Sequence, residues 1–547
     1  MVKVRKFDTA ELTRLTESNV SEVRYASETA LKLLSGQIIN DVNFQVETNK
    51  IDLSSIDDSC LLVKILKEIN NGDSLEDDKK VIFDKLIEIT LSWIKPTLIN
   101  NPSLRIEVTD RILSHNIEHF PWEQVRPQSA GLALLYNFSP FQDTGATVAS
   151  KRIRNFGKSV DVIACSFLHK KKADPTIELI AEPYVNRRYF MPMAPSWASW
   201  EPFKAFAVKS AALAQRFMET NNGYEFIYTR AMWAPSLYAG YTFKMQNPHV
   251  EWVAEFSDPL SLDVEGQHRG GILPQDEYTL PLISSIESIY GELPEEKKTI
   301  FALAEYAVYA FADEIIFTNS NQKRIMLENI HNPALRDRAD KKSIVSNHPT
   351  LPATYYNLAD VDYEVDSTKL NLAYFGEFYS SRGITEVTSA IRSLPAKLSE
   401  KVHLHVFTNY IPTSQGNRRP RQFSQMQYDA LVQRAYEGVG ATGIESQVHM
   451  NASLPYLNFL SATNKFDYLI VNDARSGDHH EVNPYLPSKW SDYSGSDAST
   501  WGFVEEGSIL SGKPIDVKTP VGDSWSARLD LWDMVITKFP KIMGEDS

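Results

Sequence analysis

From Leu132 onward, short apolar runs alternate with longer amphipathic stretches, and nothing else in the chain limits its fold as strongly. "LALLYNF", "SVDVIACSF", "YEFIYT" and "VEWVAEF" read as buried strands. Each opens into a polar loop, and the first continues as a glycine-bearing loop and helix in "SPFQDTGATVASKRIRNFG". Strands alternating with helices imply parallel βαβ units. "FALAEYAVYAFADEIIFTNSNQKRIML" extends the series as helix, strand, loop and helix. A second series begins near Leu370 with "LNLAYFGEFYSSRGITEVTSAIRSL", "KVHLHVFTN", "SATNKFDYLIVND" and "KPIDVKTP". The stretch "HPTLPATYYNLADVDYEVDSTK" between them carries prolines without periodicity, as a linker does.

Residues 1–128 have a different texture. "DTAELTRLTESNVSEVRYASETALKLL" and "LEDDKKVIFDKLIEITLSWIK" place apolar residues at three- and four-residue steps, with Asp8 or Thr9 as N-cap. The predicted organisation is a helical region over 1–128, a first Rossmann-like domain over 129–350 and a second over 351–547. The helical region shows no motif chemistry. Its apolar stripes need a cover, and a docking, oligomerisation or acceptor-binding module is the expectation.

At 547 residues the chain exceeds a single core. Its formal net charge of −14 argues against a bulk electrostatic grip on nucleic acid. Cys60 and Cys165 lie in apolar surroundings and read as buried thiols, too few for a disulfide framework or a zinc spacing. The most apolar stretch, "TIFALAEYAVYAFADEIIF", is interrupted by Glu305, Asp313 and Glu314 and reads as a buried helix running into a strand. The first residues lack the apolar core of a signal peptide. A cytoplasmic protein is expected, with peripheral docking at the inner face of a membrane left open.

Polar loops at the carboxyl ends of parallel strands are where α/β sheets bind ligands. One such loop is "EVNPYLPSKWSDYSGSDAS", Glu481–Ser499. Together with "FTNSNQKRIML…SIVSNHP", "AYFGEFYSSRGITEVTSAI" and "SLPYLNFLSATNKFDYLIVND", it resembles the GT-B glycosyltransferases, in particular the family 4-like retaining enzymes. The resemblance spans roughly Leu132 to Lys541. It implies two Rossmann-like domains facing a cleft, an acceptor domain followed by a donor domain.

The resemblance also implies roles. Gly376, Arg382 and Gly383 would approach the donor diphosphate, although Glu377 stands where many members carry arginine. Ser488 and Lys489 would hold the diphosphate, Lys489 replacing that missing arginine. Asp492, beside Tyr493, would accept the ribose hydroxyls. The first glutamate of the family's E-x7-E motif has no counterpart, because Pro484 falls there and Glu481 is out of register. Gly145 would frame the transferred sugar, and His348 with Pro349 would mark the domain crossover near the donor, with a satisfied hinge histidine as the other reading. Asp258 and Arg230 would face the acceptor. Lys151 and Arg152 lie inside the helix after Gly145, where a solvated face is an equal alternative. The expected catalytic set is Asp258, Arg382 and Lys489.

His479 and His480 are adjacent, point apart on a strand and make poor co-ligands even with Asp473 or Asp478. No metal and no cofactor is expected, the nucleotide sugar being a substrate. The implied activity is transfer of a sugar, from a UDP-sugar by family habit, to a hydroxyl of a glycan, glycolipid or glycoprotein in polysaccharide biosynthesis. A glycan-assembly partner or a homo-oligomer fits the helical region. The alternatives are a nucleotide-sugar 2-epimerase and a non-catalytic GT-B subunit.

Overall fold

The computed structural model describes residues 6–39, 42–44, 52–72, 75–377, 383–411 and 425–543. Two parallel sheets carry the fold. The first holds β1 (Gly131–Leu135), β2 (Val160–Cys165), β3 (Val185–Met191), β4 (Phe226–Arg230), β5 (Glu251–Phe256), β6 (Glu314–Phe317) and β7 (Ser343–Val345). Its order is β3-β2-β1-β4-β5-β6-β7, with β1, β4, β5, β6 and β7 paired in parallel. The second holds β8 (Leu370–Phe375), β9 (Val402–Thr408), β10 (Val448–Ala452), β11 (Tyr468–Asn472), β12 (Ser499–Val504) and β13 (Val517–Pro520). It is parallel throughout, in the order β10-β9-β8-β11-β12-β13. Both orders reverse direction after their first strand, between β1 and β4 and between β8 and β11. This is the doubly wound α/β architecture, twice in tandem, that the GT-B resemblance implied.

The central strands are buried and mostly apolar because helices cover both of their faces, with Asp161, Arg230, Glu255 and Asn371 as buried polar exceptions. Every residue of β1, β2 and β8 is buried. The first core gathers Leu132, Ile163, Phe203, Trp252 and Phe256, and the second Leu372, Val406, Ile391 and Leu531. The interrupted apolar run becomes the buried helix Ile300–Phe311, followed by β6. Glu305 is tolerated there because its carboxylate accepts the backbone N–H groups of Leu260 (2.8 Å) and Ser261 (2.7 Å) and the Ser261 hydroxyl (2.7 Å). Four-lone-pair acceptors inside a core need such donors. Among the described residues no helix is long and apolar enough to cross a membrane.

The chain divides into two compact units. One comprises Met1–Ala130 with Ile153–Asp161 and Ala181–Arg187; the other holds the remainder, including most of both sheets. In the first unit the helices Ser21–Leu34, Leu53–Asn70, Asp77–Leu91 and Arg105–Ser114 bury Val23, Leu62, Leu66, Leu86 and Val108 against one another. Trp93 sits fully inside and donates to Ser59 Oγ (3.1 Å). The two short insertions are tied to the same unit by polar side chains. Arg105, buried, donates to Ser159 Oγ (2.6 Å), and Arg126 donates to the Glu182 carbonyl (2.9 Å). Cys60 and Cys165 are both buried free thiols.

These contacts make the helical unit a support for the residues that begin β2 and β3. Arg105→Ala is expected to cost about 1–3 kcal/mol, the usual penalty for stranding a buried partner. A chain beginning at Ser129 is expected to melt earlier still, because it loses Arg105, Arg126 and the whole helical core together. Thermal melts followed by circular dichroism read both, and an unchanged melting temperature in the truncated chain contradicts the support role.

Candidate active site

Within the second unit, the carboxyl ends of both sheets line one cavity of about 480 Å3. From the first sheet come Asp143, Thr144, Thr147 and Lys151 after β1, and Lys171 after β2. From the second come Gly376 and Glu377 after β8, Asn409 after β9, Asn472 after β11, and Ser488, Lys489 and Asp492. The cavity therefore sits at the reversal point of the second sheet and beyond β1 and β2 of the first, at the carboxyl ends where open α/β sheets bind ligands.

Two consecutive residues of the helix Thr144–Phe156 organise it. Lys151 and Arg152 are each 2% exposed, so neither belongs to a solvated face. Lys151 Nζ donates to Asp492 Oδ1 (2.6 Å) and Ser491 Oγ (3.1 Å) on the second sheet's side. Tyr456 OH donates to the same Asp492 Oδ1 (2.6 Å), and the Tyr356 hydroxyl donates to the Asp492 carbonyl. Lys489 Nζ stands 3.7 Å from Asp492 Oδ2 and 3.9 Å from the centre of the Phe459 ring. Burial pushes the Asp492 carboxyl up, but Lys151 and Lys489 outweigh it and the net shift is downward. Burial lowers the Lys489 ammonium in spite of Asp492.

Arg152 points the other way. Its guanidinium holds Glu255 through Nε (3.1 Å) and NH2 (3.3 Å), and reaches Ser346 Oγ (2.7 Å) and the Asn347 carbonyl (3.1 Å) at the crossover between the sheets. Tyr228 OH also donates to Glu255 (2.6 Å), and Arg230 Nε lies 3.5 Å from it. Burial alone would raise the Glu255 carboxyl, yet Arg152 and Arg230 hold it down at about 2. His348, buried at the crossover, is pushed down to about 3, first by burial and then by Arg230. It does not line the cavity, and its Nδ1 and the Nε and NH1 of Arg230 are buried without hydrogen-bond partners.

The remaining expected site residues are distributed around this frame. Gly145 donates to Asp143 Oδ1 (2.8 Å), and a Cβ at Gly145 would lie 3.2 Å from Met232 Cβ and 3.4 Å from Arg230 NH1. Gly376 leaves β8 at φ +154° and lines the cavity, while Glu377 Oε1 accepts from Asn409 Nδ2 (3.1 Å). Gly383 presents its carbonyl to Asn472 Nδ2 (2.6 Å). Tyr493 turns into the core, its ring 6.5 Å from Phe375 and 6.3 Å from Phe459. Asp258 lines a second cavity of about 290 Å3 with Trp197, Met232, Trp233 and Arg269. Met232 of the second cavity is thus close to Gly145, which lines neither cavity. Asn319 caps the helix Ser320–Glu328 and donates to the Pro484 carbonyl (2.9 Å). His480 bonds the Asp263 carbonyl (3.0 Å), and Asp473 accepts from Glu505 N (2.9 Å) and Ser508 Oγ (2.6 Å), so this group does not converge. Arg382 lies outside the described residues.

Sequence reasoning missed Lys171, which pairs with Asp143, and Tyr456, which pairs with Asp492. "SLPYLNF" carried Tyr456 as part of a family-like helix, with no local sign that its hydroxyl faces an acid. Lys171 stands in "HKKKADP", a run that reads as a solvated loop.

Neither known protein families nor curated proteins yield a match to this sequence. Among solved structures the chain is similar to sucrose-phosphate synthase of Thermosynechococcus elongatus, with 11% identity and a TM-score of 0.42 over 76% of this chain and 98% of that one. It is similar to an α,α-trehalose-phosphate synthase (UDP-forming) of Burkholderia xenovorans in complex with glucose-6-phosphate, at 8% identity and TM-score 0.43 over 76% and 96%. It is also similar to S. aureus MnaA in its co-structure with UDP, at 8% identity and TM-score 0.39 over 76% and 89%.

Glu255→Gln leaves Arg152 and Arg230 without a buried counter-charge and is expected to destabilise the protein by about 3–5 kcal/mol. With its carboxyl lowered from 4.5 to about 2, Glu255 contributes stability that is complete above pH 4.5 and lost as pH falls toward 2. Denaturation of wild type and Glu255→Gln across that window is expected to show the difference shrinking with acidification; a pH-independent difference contradicts the ion-pair account.

Proposed function

We propose that the cavity holds a nucleotide-sugar donor and that the protein transfers its sugar to an acceptor hydroxyl. One observation supports this most: Lys151, Lys171 and Lys489 converge on a cavity at the carboxyl ends of two doubly wound sheets. A diphosphate leaving group needs such fixed positive charge, and dipoles of loops and helix ends, more than it needs a general acid. The helix Thr144–Phe156 opens into the same cavity, and its N-terminus favours an anion.

In this reading Lys489 meets the diphosphate first. It is 34% exposed on its side chain and only loosely paired with Asp492, so an anion can recruit it at least cost. Ser488 lies beside it. Gly376 lets the β8 loop approach the phosphates. Asp492 aligns Lys151 and Lys489, and its Oδ2, which neither Lys151 nor Tyr456 engages, accepts a ribose hydroxyl. Gly145, close to Met232 of the second cavity, frames the sugar. The second cavity, with Asp258, Arg269, Trp197 and Trp233, takes the acceptor, and Arg230 lies beside Gly145. Attack from the face of the departing phosphate would retain the anomeric configuration, and no divalent cation is required in the cleft. The donor base is read as uracil from the family resemblance.

A second reading has its own support. Glu377 places a carboxylate on the cavity wall, and Asp492 is already engaged by Lys151 and Tyr456. A subunit that binds nucleotide without turnover shares these features.

Isothermal titration with UDP, and UDP release from a panel of UDP-sugars, separate the readings. Binding with release supports the transferase; binding without release from any donor supports the subunit; no binding of UDP overturns both. Lys489→Ala is expected to lower kcat/KM about 10²-fold, since one stabiliser of developing charge is worth ~3 kcal/mol. Adding Mg2+ or Mn2+ to metal-stripped protein is expected to leave turnover unchanged.

A further inference from the structure

Away from the cleft, three histidines converge on the edge of the second sheet. His403 and His405 alternate along β9 and so share a face, and His449 sits on the edge strand β10 in register with His405. One ring nitrogen from each lies within 4.8 Å of the others. We propose that His403, His405 and His449 bind one divalent transition-metal ion of the zinc kind.

The geometry is close to what such an ion requires. Zinc–nitrogen bonds of about 2.0–2.1 Å in a tetrahedron put ligand nitrogens roughly 3.3 Å apart. His449 Nε2 and His403 Nδ1 are already 3.2 Å apart. The His405 tautomer is fixed by its surroundings. Asn371 donates its amide N–H groups to the carbonyls of Asp366 (2.9 Å) and Lys369 (3.2 Å), which leaves Oδ1 to accept from His405 Nε2 (3.1 Å). The proton is therefore on Nε2 and the lone pair on Nδ1. A metal-binding histidine has this arrangement, with its second nitrogen donating to a fixed oxygen. Nδ1 accepts from the Tyr363 hydroxyl (2.6 Å), which in turn accepts from Asn451 Nδ2 (3.1 Å). An ion arriving at Nδ1 displaces one hydroxyl, and Asn451 keeps that hydroxyl paired.

The surroundings suit a cation. The histidines open on a hollow of about 600 Å3 whose wall also carries Asp362, Glu364, Asp366 and Glu445. These carboxylates attract a cation, and one of them or a water completes four-fold coordination. Imidazole suits zinc, copper and nickel, whereas a magnesium or calcium site would be built from oxygen alone. The ion would pin the edge strand β10 to β9, which reaches the cleft two residues beyond His405 at Phe407.

The test is equilibrium dialysis of metal-stripped, full-length protein against Zn2+, with elemental analysis, and against Co2+, with visible absorption. One equivalent per chain is expected, with the intense cobalt bands of a four- or five-coordinate site. His403→Ala and His449→Ala, both at half-buried positions, are each expected to weaken binding by more than the roughly tenfold that loss of an outer partner alone causes. His480→Ala, remote from the cluster in sequence, is expected to bind as wild type does. Substoichiometric binding by the wild type overturns the proposal. So does unchanged affinity in a His403→Ala/His449→Ala double variant whose circular dichroism matches wild type, or loss of binding in His480→Ala alone.

Discussion

Lys151 and Arg152 are neighbours on one helix, and between them they join every part of the cleft. Lys151 meets Asp492, 341 residues away, and Arg152 meets Glu255, 103 residues away. Burying four charges is expensive, and the attraction within each pair only offsets that cost when the remaining donors and acceptors are satisfied. Here they are. Tyr456 completes Asp492, Tyr228 completes Glu255, and Ser346 and Asn347 complete Arg152. The consequence is geometric: the helix Thr144–Phe156, the crossover between the sheets and the short helix Ser488–Tyr493 are held in one arrangement.

That arrangement sets the electrostatics of the cavity. Its lysines, Lys151, Lys171 and Lys489, are matched by Asp143, Glu377 and Asp492. An incoming diphosphate therefore competes with internal carboxylates, and it gains most where the existing pair is weakest. Lys489, 3.7 Å from Asp492 and partly exposed, is that place. Lys151 is bound too tightly to leave, so its contribution is a fixed field. In a protein of net charge −14 the cavity is formally balanced, three ammonium groups against three carboxylates.

The α/β alternation was legible because it depends on local pattern. Strands covered on both faces must be largely apolar, and "LALLYNF" and "LNLAYF" are, each with a single asparagine. The buried helix with Glu305 was legible for the same reason, although its three donors were not. The site was legible only in outline. Lys151 and Arg152 carry no local sign of burial, since their partners are supplied by distant segments. Asp492 and Tyr493 are consecutive on a helix, so about 100° separates them; one faces the cavity and the other fills the core. Asp258 lines the second cavity, whereas Gly145 lines neither and is only close to Met232 of the second. The three-histidine cluster escaped notice because "VHLHV" and "VHM" are strand-like fragments that only sheet register brings together.

The central claim is that one cavity, bounded by Lys151 and Lys489, is where a nucleotide sugar sits. Photolabelling with an azido-uridine diphosphate sugar, followed by peptide mapping, tests it without needing the acceptor. The account predicts adducts on the segments Thr144–Lys151 and Pro487–Tyr493, suppressed by unlabelled UDP. Suppressible labelling confined to other segments, or none at all, would contradict it.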